Sequence, residues 1–252
     1  MIISPSRGFI FIHLEKCGGT SIETALQPYL HWSDMILGST DFGERNQQNY
    51  YDRFGRENVN KNMLWKHSTA KDIHAFIGPD SWDDFNKISV VRNPQEIIKS
   101  LYFFSKMSVK YHVGRINRQK WKELLRVGNF PDSYPYSEGY VRAYAQTEID
   151  GMSIDRFVEL LLSGDYGFVA PQVKRLEINK LISLGHVYDL SKINESWNDI
   201  LEVVGISEDV RLDRLNSSER EDVQLSDKSK RKIKKHFAID YDVLPKYTGV
   251  HW

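Results

Sequence analysis

One cysteine, Cys17, stands in a chain of 252 residues, so no intrachain disulfide can form and a zinc site of four cysteines is excluded. A lone thiol fits a reducing compartment. Nowhere do about 18 apolar residues run together, which argues against a membrane-spanning helix. Residues 1–12 carry no long apolar run and no leader-peptide cleavage pattern. Net charge is missing too, because 34 Lys and Arg balance 34 Asp and Glu. Without a global field there is no reason to expect nucleic acid or an anionic membrane as a partner. These absences lead to the expectation of a soluble, cytoplasmic protein without a transmembrane segment. What is present suffices for one core: 40% of residues are hydrophobic, and no repeat, low-complexity tract or linker breaks the chain. A single domain over residues 1–252 is expected.

Short β-branched and aromatic runs alternate with helical patterns. Gly8–Leu14 reads as a buried first strand, followed by a glycine turn and a helix opened by Thr20 or Ser21, with Glu23 at capping-box spacing from Thr20. Ser33–Asn62 is polar and reads as irregular. Met63–Lys66 is a strand candidate, with a turn at His67-Ser68 and a helix from Thr69 to Phe76, stopped by Gly78-Pro79. Ile88–Val91 reads as a strand, and Pro94 opens a helix through Tyr102. Further on come a helix over Ile154–Leu162 capped by Ser153 and stopped at Gly164, a strand over His186–Leu190, and helices over Ile193–Val204 and Asp227–Phe237. Strands alternating with helices predict an α/β fold, with a parallel sheet covered on both faces.

The segment Leu14-Glu15-Lys16-Cys17-Gly18-Gly19-Thr20-Ser21 lies between the first strand and its helix. Glycines let backbone N–H groups approach an anion, a helix N-terminus adds positive potential, Lys16 adds a full charge, and Thr20 and Ser21 add hydroxyls. A bare Gly-Gly would read as turn geometry alone; the lysine and the hydroxyls favour an oxyanion cradle. The lysine precedes the glycines, the reverse of the nucleoside-triphosphatase order. A second candidate is Arg92, ending a strand, with Ser100 two helical turns later. A guanidinium clamps phosphate through paired hydrogen bonds, and a serine donates another.

Phe11–Ser21 resembles the 5'-phosphosulfate-binding segment of the sulfotransferases that use 3'-phosphoadenosine-5'-phosphosulfate (PAPS). It is most similar to the Golgi-type carbohydrate enzymes and their bacterial relatives. Ser89-Val90-Val91-Arg92-Asn93-Pro94 with Ser100-Leu101-Tyr102 resembles the family's 3'-phosphate segment. Weaker likenesses lie at Trp65–Ala70, Ala170-Pro171-Gln172, Val187–Leu190, Leu215–Ser218 and Phe237–Tyr241. The cytosolic class's C-terminal Arg-Lys-Gly signature is not found. Three departures stand out: Glu15 where proline is common, Cys17 where Thr or Ser is common, and Ile97 where arginine is frequent.

The resemblance implies a P-loop-like sulfotransferase fold and transfer of a sulfuryl group from PAPS to a hydroxyl or amine of an acceptor, a carbohydrate or glycolipid, leaving 3'-phosphoadenosine-5'-phosphate (PAP). It implies that Lys16, Cys17, Gly18, Gly19, Thr20, Ser21, Arg92 and Ser100 hold the nucleotide. In-line transfer needs a cation near the leaving oxygen, a role for Lys16, and a base near the acceptor. His67, in a segment where relatives place a histidine, is the base candidate, and it reads equally as a helix cap or a structural residue. His13 and Glu15 are alternatives. No metal is expected. A kinase-like phosphotransferase and a non-catalytic nucleotide-binding module stand as competing functions. The basic, aromatic stretch from Lys106 to Arg126, with Tyr134, Tyr136 and Tyr140 after it, and the basic run Lys228–Lys235 read mainly as solvated faces.

Overall fold

The structure, a computed structural model, describes residues 1–38, 40–54, 64–113, 123, 139–147, 151–163, 169–213 and 223–252. Its first strands, β1 (Ile2–Ser4) and β2 (Phe9–Ile12), are joined by only four residues. Gly8 takes φ 65° there, and the Arg7 N–H donates to the Ser4 carbonyl at 3.3 Å. So short a link cannot make a parallel crossover, and the pair is antiparallel, with Ser4 opposite Phe9. A short strand β3 (Met35–Ile36) extends that side. β4 (Asn86–Val91) and β7 (His186–Asp189) continue the sheet in parallel with β2, giving the order β3-β1-β2-β4-β7. The expected parallel sheet flanked by helices is present in β2, β4 and β7, and it is extended by an antiparallel edge, made by a hairpin too short to read from sequence.

All four residues of β2 are buried, as a continuous apolar run in a strand covered on both faces requires. Phe9, Phe11, Ile88 and Val90 form a core cluster with Ile22 and Leu26 of α1 (Gly19–Leu26) and Trp197, Ile200 and Leu201 of α9 (Ile193–Val203). Each such side chain, fully buried, contributes about 1.5–3 kcal/mol. The Trp197 indole N–H donates to the Val210 carbonyl at 2.6 Å, so its polar edge is satisfied inside the core.

Two stretches differ from expectation. Within the polar Ser33–Asn62 segment lies a helix, α2 (Asp41–Phe54). Thr40 Oγ1 accepts from the Gly43 N–H at 2.9 Å, Asp41 and Glu44 favour the first turn, and i,i+4 bonds join Gln47 to Tyr51 (2.6 Å) and Gln48 to Asp52 (2.7 Å). Its stability is local and polar, which a search for apolar periodicity overlooks. Leu64–Lys66 is not a strand either: Ser68 and Trp65 close a turn through bonds of 3.0 and 2.9 Å. Met63 lies outside the described residues. α3 (Ala70–Ile77) has a full Thr69–Asp72 capping box and stops at Gly78, where α4 (Pro79–Asp84) begins.

The chain falls into two compact units. The first, Met1–Arg92 with Gln172–Ser217 and Ile239–Trp252, holds the sheet. It also holds α8 (Gln172–Leu176) and the hairpin of β5 (Glu177–Ile178) and β6 (Leu181–Ile182), whose turn puts Asn179 and Lys180 at positive φ. The second, Asn93–Pro171 with Ser218–Ala238, contains α5 (Pro94–Val113), α6 (Gly139–Thr147), α7 (Ile154–Leu161) and α10 (Asp227–His236). The last helices are α11 (Ala238–Val243) and α12 (Pro245–Thr248).

Ser153 caps α7 as expected, and Tyr102 donates to the Met152 carbonyl at 2.6 Å with its ring edge-on to Tyr144 and Phe157. On α10, Lys228 and Lys232 pair with Glu159 of α7 at 3.0 and 3.2 Å on an exposed face. Gly164, Leu215–Ser218, Trp121, Tyr134 and Tyr136 lie outside the described residues. Among the described residues no helix is long and apolar enough to cross a membrane.

Candidate functional site

β2 and β4 are parallel neighbours with Ile12 opposite Ser89 and β4 running on to Val91, so the loops that leave their carboxyl ends emerge at the same edge of the sheet. Lys16 follows Ile12 by four residues and Arg92 follows Ser89 by three, which brings both cations to one edge. The Arg92 guanidinium donates from Nη1 to the Lys16 carbonyl at 2.9 Å. Carboxyl ends of parallel strands are where open α/β sheets bind ligands. Two shallow surface hollows, about 590 Å³ around Leu201, Gly205 and Asp209 and about 500 Å³ around Arg7, Tyr29 and His31, lie by the residues that precede β2. Neither is lined by Lys16 or Arg92.

The turn is built by backbone conformation. Lys16 sits at φ 61° and Gly18 at φ 77°, ψ 9°, and α1 begins at the next residue. A left-handed residue followed by a helical one turns successive N–H groups to the same side, the arrangement that binds anions. A left-handed lysine costs about 1–2 kcal/mol, which the Arg92 bond to its carbonyl helps offset. α1 has no side-chain cap and no acid in its first turn. The expected Thr20–Glu23 capping box does not form, because Glu23 is buried and bonds the Met1 amine and His13 Nδ1 (the latter at 2.8 Å). Buried donors inside the fold hold the carboxylate in place of the backbone N–H. Burial raises the Glu23 carboxyl, yet these neighbours bring it below the usual range. Its other oxygen, Oε2, is buried without a hydrogen-bond partner.

Both glycines also serve the chain's own packing. A Cβ on Gly19 would stand 2.2 Å from the His13 ring, and one on Gly18 would stand 2.7 Å from Leu190 Cδ1. Cys17 is 1% exposed, its thiol 3.4 Å from the Glu15 carbonyl and 3.5 Å from Gln172 Oε1, and burial pushes its pKa up. Only its backbone is available to a ligand at the turn. Thr20 and Ser21 are half-buried on the first turn of α1.

His67 sits at the turn before α3. Its Nδ1 is 3.0 Å from the His13 carbonyl, and because a carbonyl only accepts, Nδ1 carries the proton and Nε2 is left as the basic nitrogen. The ring lies edge-on to His13 (4.7 Å) and to Trp65 (5.2 Å). Burial, helped by the neighbouring His13, pushes the His67 pKa well below the ordinary histidine value, so the ring is neutral. Arg175 donates to the His67 carbonyl. Burial also raises the Glu15 carboxyl against the pull of Arg175, Lys66 and Lys16.

The first unit thus brings together Lys16, Cys17, Gly18, Gly19, Thr20, Ser21, His67 and Arg92. Ser100 is half-buried on α5 in the second unit, and Ile97 is buried there, 3% exposed. Sequence reasoning gave no role to Gln172, Asp240 or Arg175. The first two do fall in segments with a weak family likeness, the one signal that could have found them. Gln172 Oε1 accepts from the Arg92 N–H (2.8 Å), and its Nε2 donates to the Arg92 carbonyl (2.8 Å) and to Asp240 Oδ2 (3.3 Å). Asp240, fully buried, also accepts from the Gln172 and Val173 N–H groups at 2.9 Å each. Among the described residues no group of three or more His, Cys, Asp or Glu is placed to hold a metal ion.

Residues 1–247 match the sequence model of a family described as the sulfotransferase family. No curated protein and no solved structure matches the chain.

Proposed function

Because this chain belongs to the sulfotransferase family, we propose that it transfers the sulfuryl group of PAPS to a hydroxyl or amine of a carbohydrate or glycolipid acceptor, as a single domain of P-loop-like fold. The observation that carries this reading is the bond from the Arg92 guanidinium to the Lys16 carbonyl: it ties the end of one parallel strand to the turn that follows its neighbour, a turn with left-handed residues and an uncapped helix N-terminus. A nucleotide bearing anionic groups at both its 5' and 3' positions fits such a paired site better than one bearing a single 5' chain.

In this reading Lys16, the Gly18–Ser21 backbone and the α1 dipole hold the phosphosulfate end, and Arg92 holds the 3'-phosphate. The bound donor supplies an activated sulfur whose bridging oxygen leaves with the electron pair. Lys16 neutralises the charge that builds on that oxygen. His67 Nε2 takes the acceptor proton as the new oxygen–sulfur bond forms. Its low proton affinity suffices because the acceptor proton becomes strongly acidic during that step.

Thermal shift with PAP, AMP and Mg-ATP, paired with a radiolabelled sulfate-transfer screen over sugars, glycolipids and small alcohols, tests the proposal. A ligand at 100 times its Kd stabilises by about 2.7 kcal/mol. The expected result is stabilisation by PAP and labelled product on a sugar-bearing acceptor. A response to Mg-ATP alone would point to phosphotransfer, and PAP binding without transfer to any acceptor would point to a non-catalytic module.

A further inference from the structure

We infer that Gln172 is a positioning residue for nucleotide recognition: its side-chain amide, locked by Asp240, sets the Arg92 backbone at the end of β4 and so aims the guanidinium at a 3'-phosphate. The inference rests on the sulfate-donor reading above.

The β4–β7 ladder ends at Val91, paired with Asp189. Arg92 lies one residue beyond, so its N–H and C=O have no partner strand, and Pro94, two residues on, opens α5. Backbone groups in such a position must be satisfied elsewhere. The Gln172 amide does so as a strand would, accepting from the Arg92 N–H and donating to the Arg92 carbonyl, both at 2.8 Å. Its remaining donor meets Asp240 Oδ2 at 3.3 Å, and the Cys17 thiol lies 3.5 Å from the same Oε1 that serves Arg92. The side chain offers two donors and two acceptor sites, and each faces a partner.

Gln172 is 3% exposed and Asp240 fully buried, so water cannot substitute for either. One amide thereby ties the phosphate turn, through Cys17, to the strand end that carries Arg92. Glutamate would not replace it, because a carboxylate would face both the Arg92 carbonyl and Asp240 where an N–H₂ now donates.

The test is calorimetric binding of PAP and of AMP, which lacks the 3'-phosphate, to the full chain and to Gln172→Met, with the thermal midpoint as a check on folding. The wild type should prefer PAP by about tenfold or more, and Gln172→Met should lose about 10- to 100-fold in PAP affinity while AMP affinity stays within about twofold. A purely structural role would weaken both nucleotides alike. If Gln172→Met keeps the wild-type preference, the inference falls and the donor reading stands. If the wild type itself does not prefer PAP, the donor reading falls and takes the inference with it. Should Gln172→Met be recovered unfolded, Asp240→Asn decides: a reduced PAP preference supports the inference and an unchanged one overturns it.

Discussion

Gly19→Ala sets two effects of opposite sign against each other, and their magnitudes decide the outcome. Gly19 is the first residue of α1, where alanine favours the helix by up to about 1 kcal/mol. The added Cβ, however, would lie 2.2 Å from His13 Cδ2 and Nε2, against an ordinary contact of 3.4–4 Å. The ring would have to retreat by more than an ångström. It is not free to do so, because its Nδ1 bonds Glu23 at 2.8 Å and its face meets the His67 ring at 4.7 Å. Overpacking of this kind costs about 1–3 kcal/mol, and breaking a hydrogen bond to a charged group adds about 1.5–3.

The net expectation is a loss of about 1.5–6 kcal/mol, read as a fall in Tm of roughly 3–24 °C for a chain of this size. Gly8→Ala is the control: φ is 65° but nothing lies within 4 Å of its Cβ, so only backbone strain of about 1–2 kcal/mol applies. In a His13→Ala background the Gly19→Ala increment should shrink or change sign. A Gly19→Ala protein with Tm equal to or above the wild type would refute the reasoning.

The other expectations are briefer. Lys16→Ala should cut sulfate transfer by about 10²–10³ at saturating donor, as loss of one transition-state donor does, and turnover within a few-fold of wild type would remove Lys16 from that role. His67→Ala should lower turnover by about 10²–10⁴ with PAP affinity unchanged; a matching loss of PAP affinity would make it structural instead. Stability should fall as the solution is acidified. His13 and His67 both bind protons less readily folded than unfolded, chiefly because both are buried. The unfolded chain therefore takes up more protons below about pH 6.5, and stability is lost from there downward, at up to about 1.4 kcal/mol per pH unit for each histidine. Glu15, raised by burial, opposes this above its unfolded value near 4.5. Urea midpoints measured between pH 7.5 and 5.5 that do not fall would contradict the assignment of both rings as buried and neutral.

Local signals were legible and non-local ones were not. The strand–turn–helix around Gly18-Gly19, the helix start at Thr69, the cap at Ser153, and the strands ending at Ile12 and Val91 are announced by residues a few positions apart. The antiparallel edge was missed because Ile2–Ser4 is too short to carry an alternation. The helix α2 was missed because polar i,i+4 bonds, not an apolar stripe, sustain it. The Glu23 misreading has a different cause. The helix starts one residue earlier than Thr20, with Gly18 at the cap position, and the Met1 amine and His13 take the carboxylate inward.

Cys17 shows most clearly what a motif cannot say. Read against relatives that carry Thr or Ser, it suggests a weakened anion contact. In the fold its thiol points into the interior, 3.5 Å from an amide oxygen 155 residues away, and is 1% exposed. A serine there would be buried beside the Glu15 carbonyl and Gln172 Oε1, and because a C–O bond is shorter than a C–S bond its hydroxyl would reach neither acceptor as closely as the thiol does. A thiol, a weak donor that packs like a small hydrophobe, tolerates that site at little cost. The departure from the family's pattern is thus tied to Gln172. If the two positions act as a unit, Cys17→Ser and Gln172→Met combined should perturb stability by clearly less or more than the sum of the single changes; strict additivity would separate them.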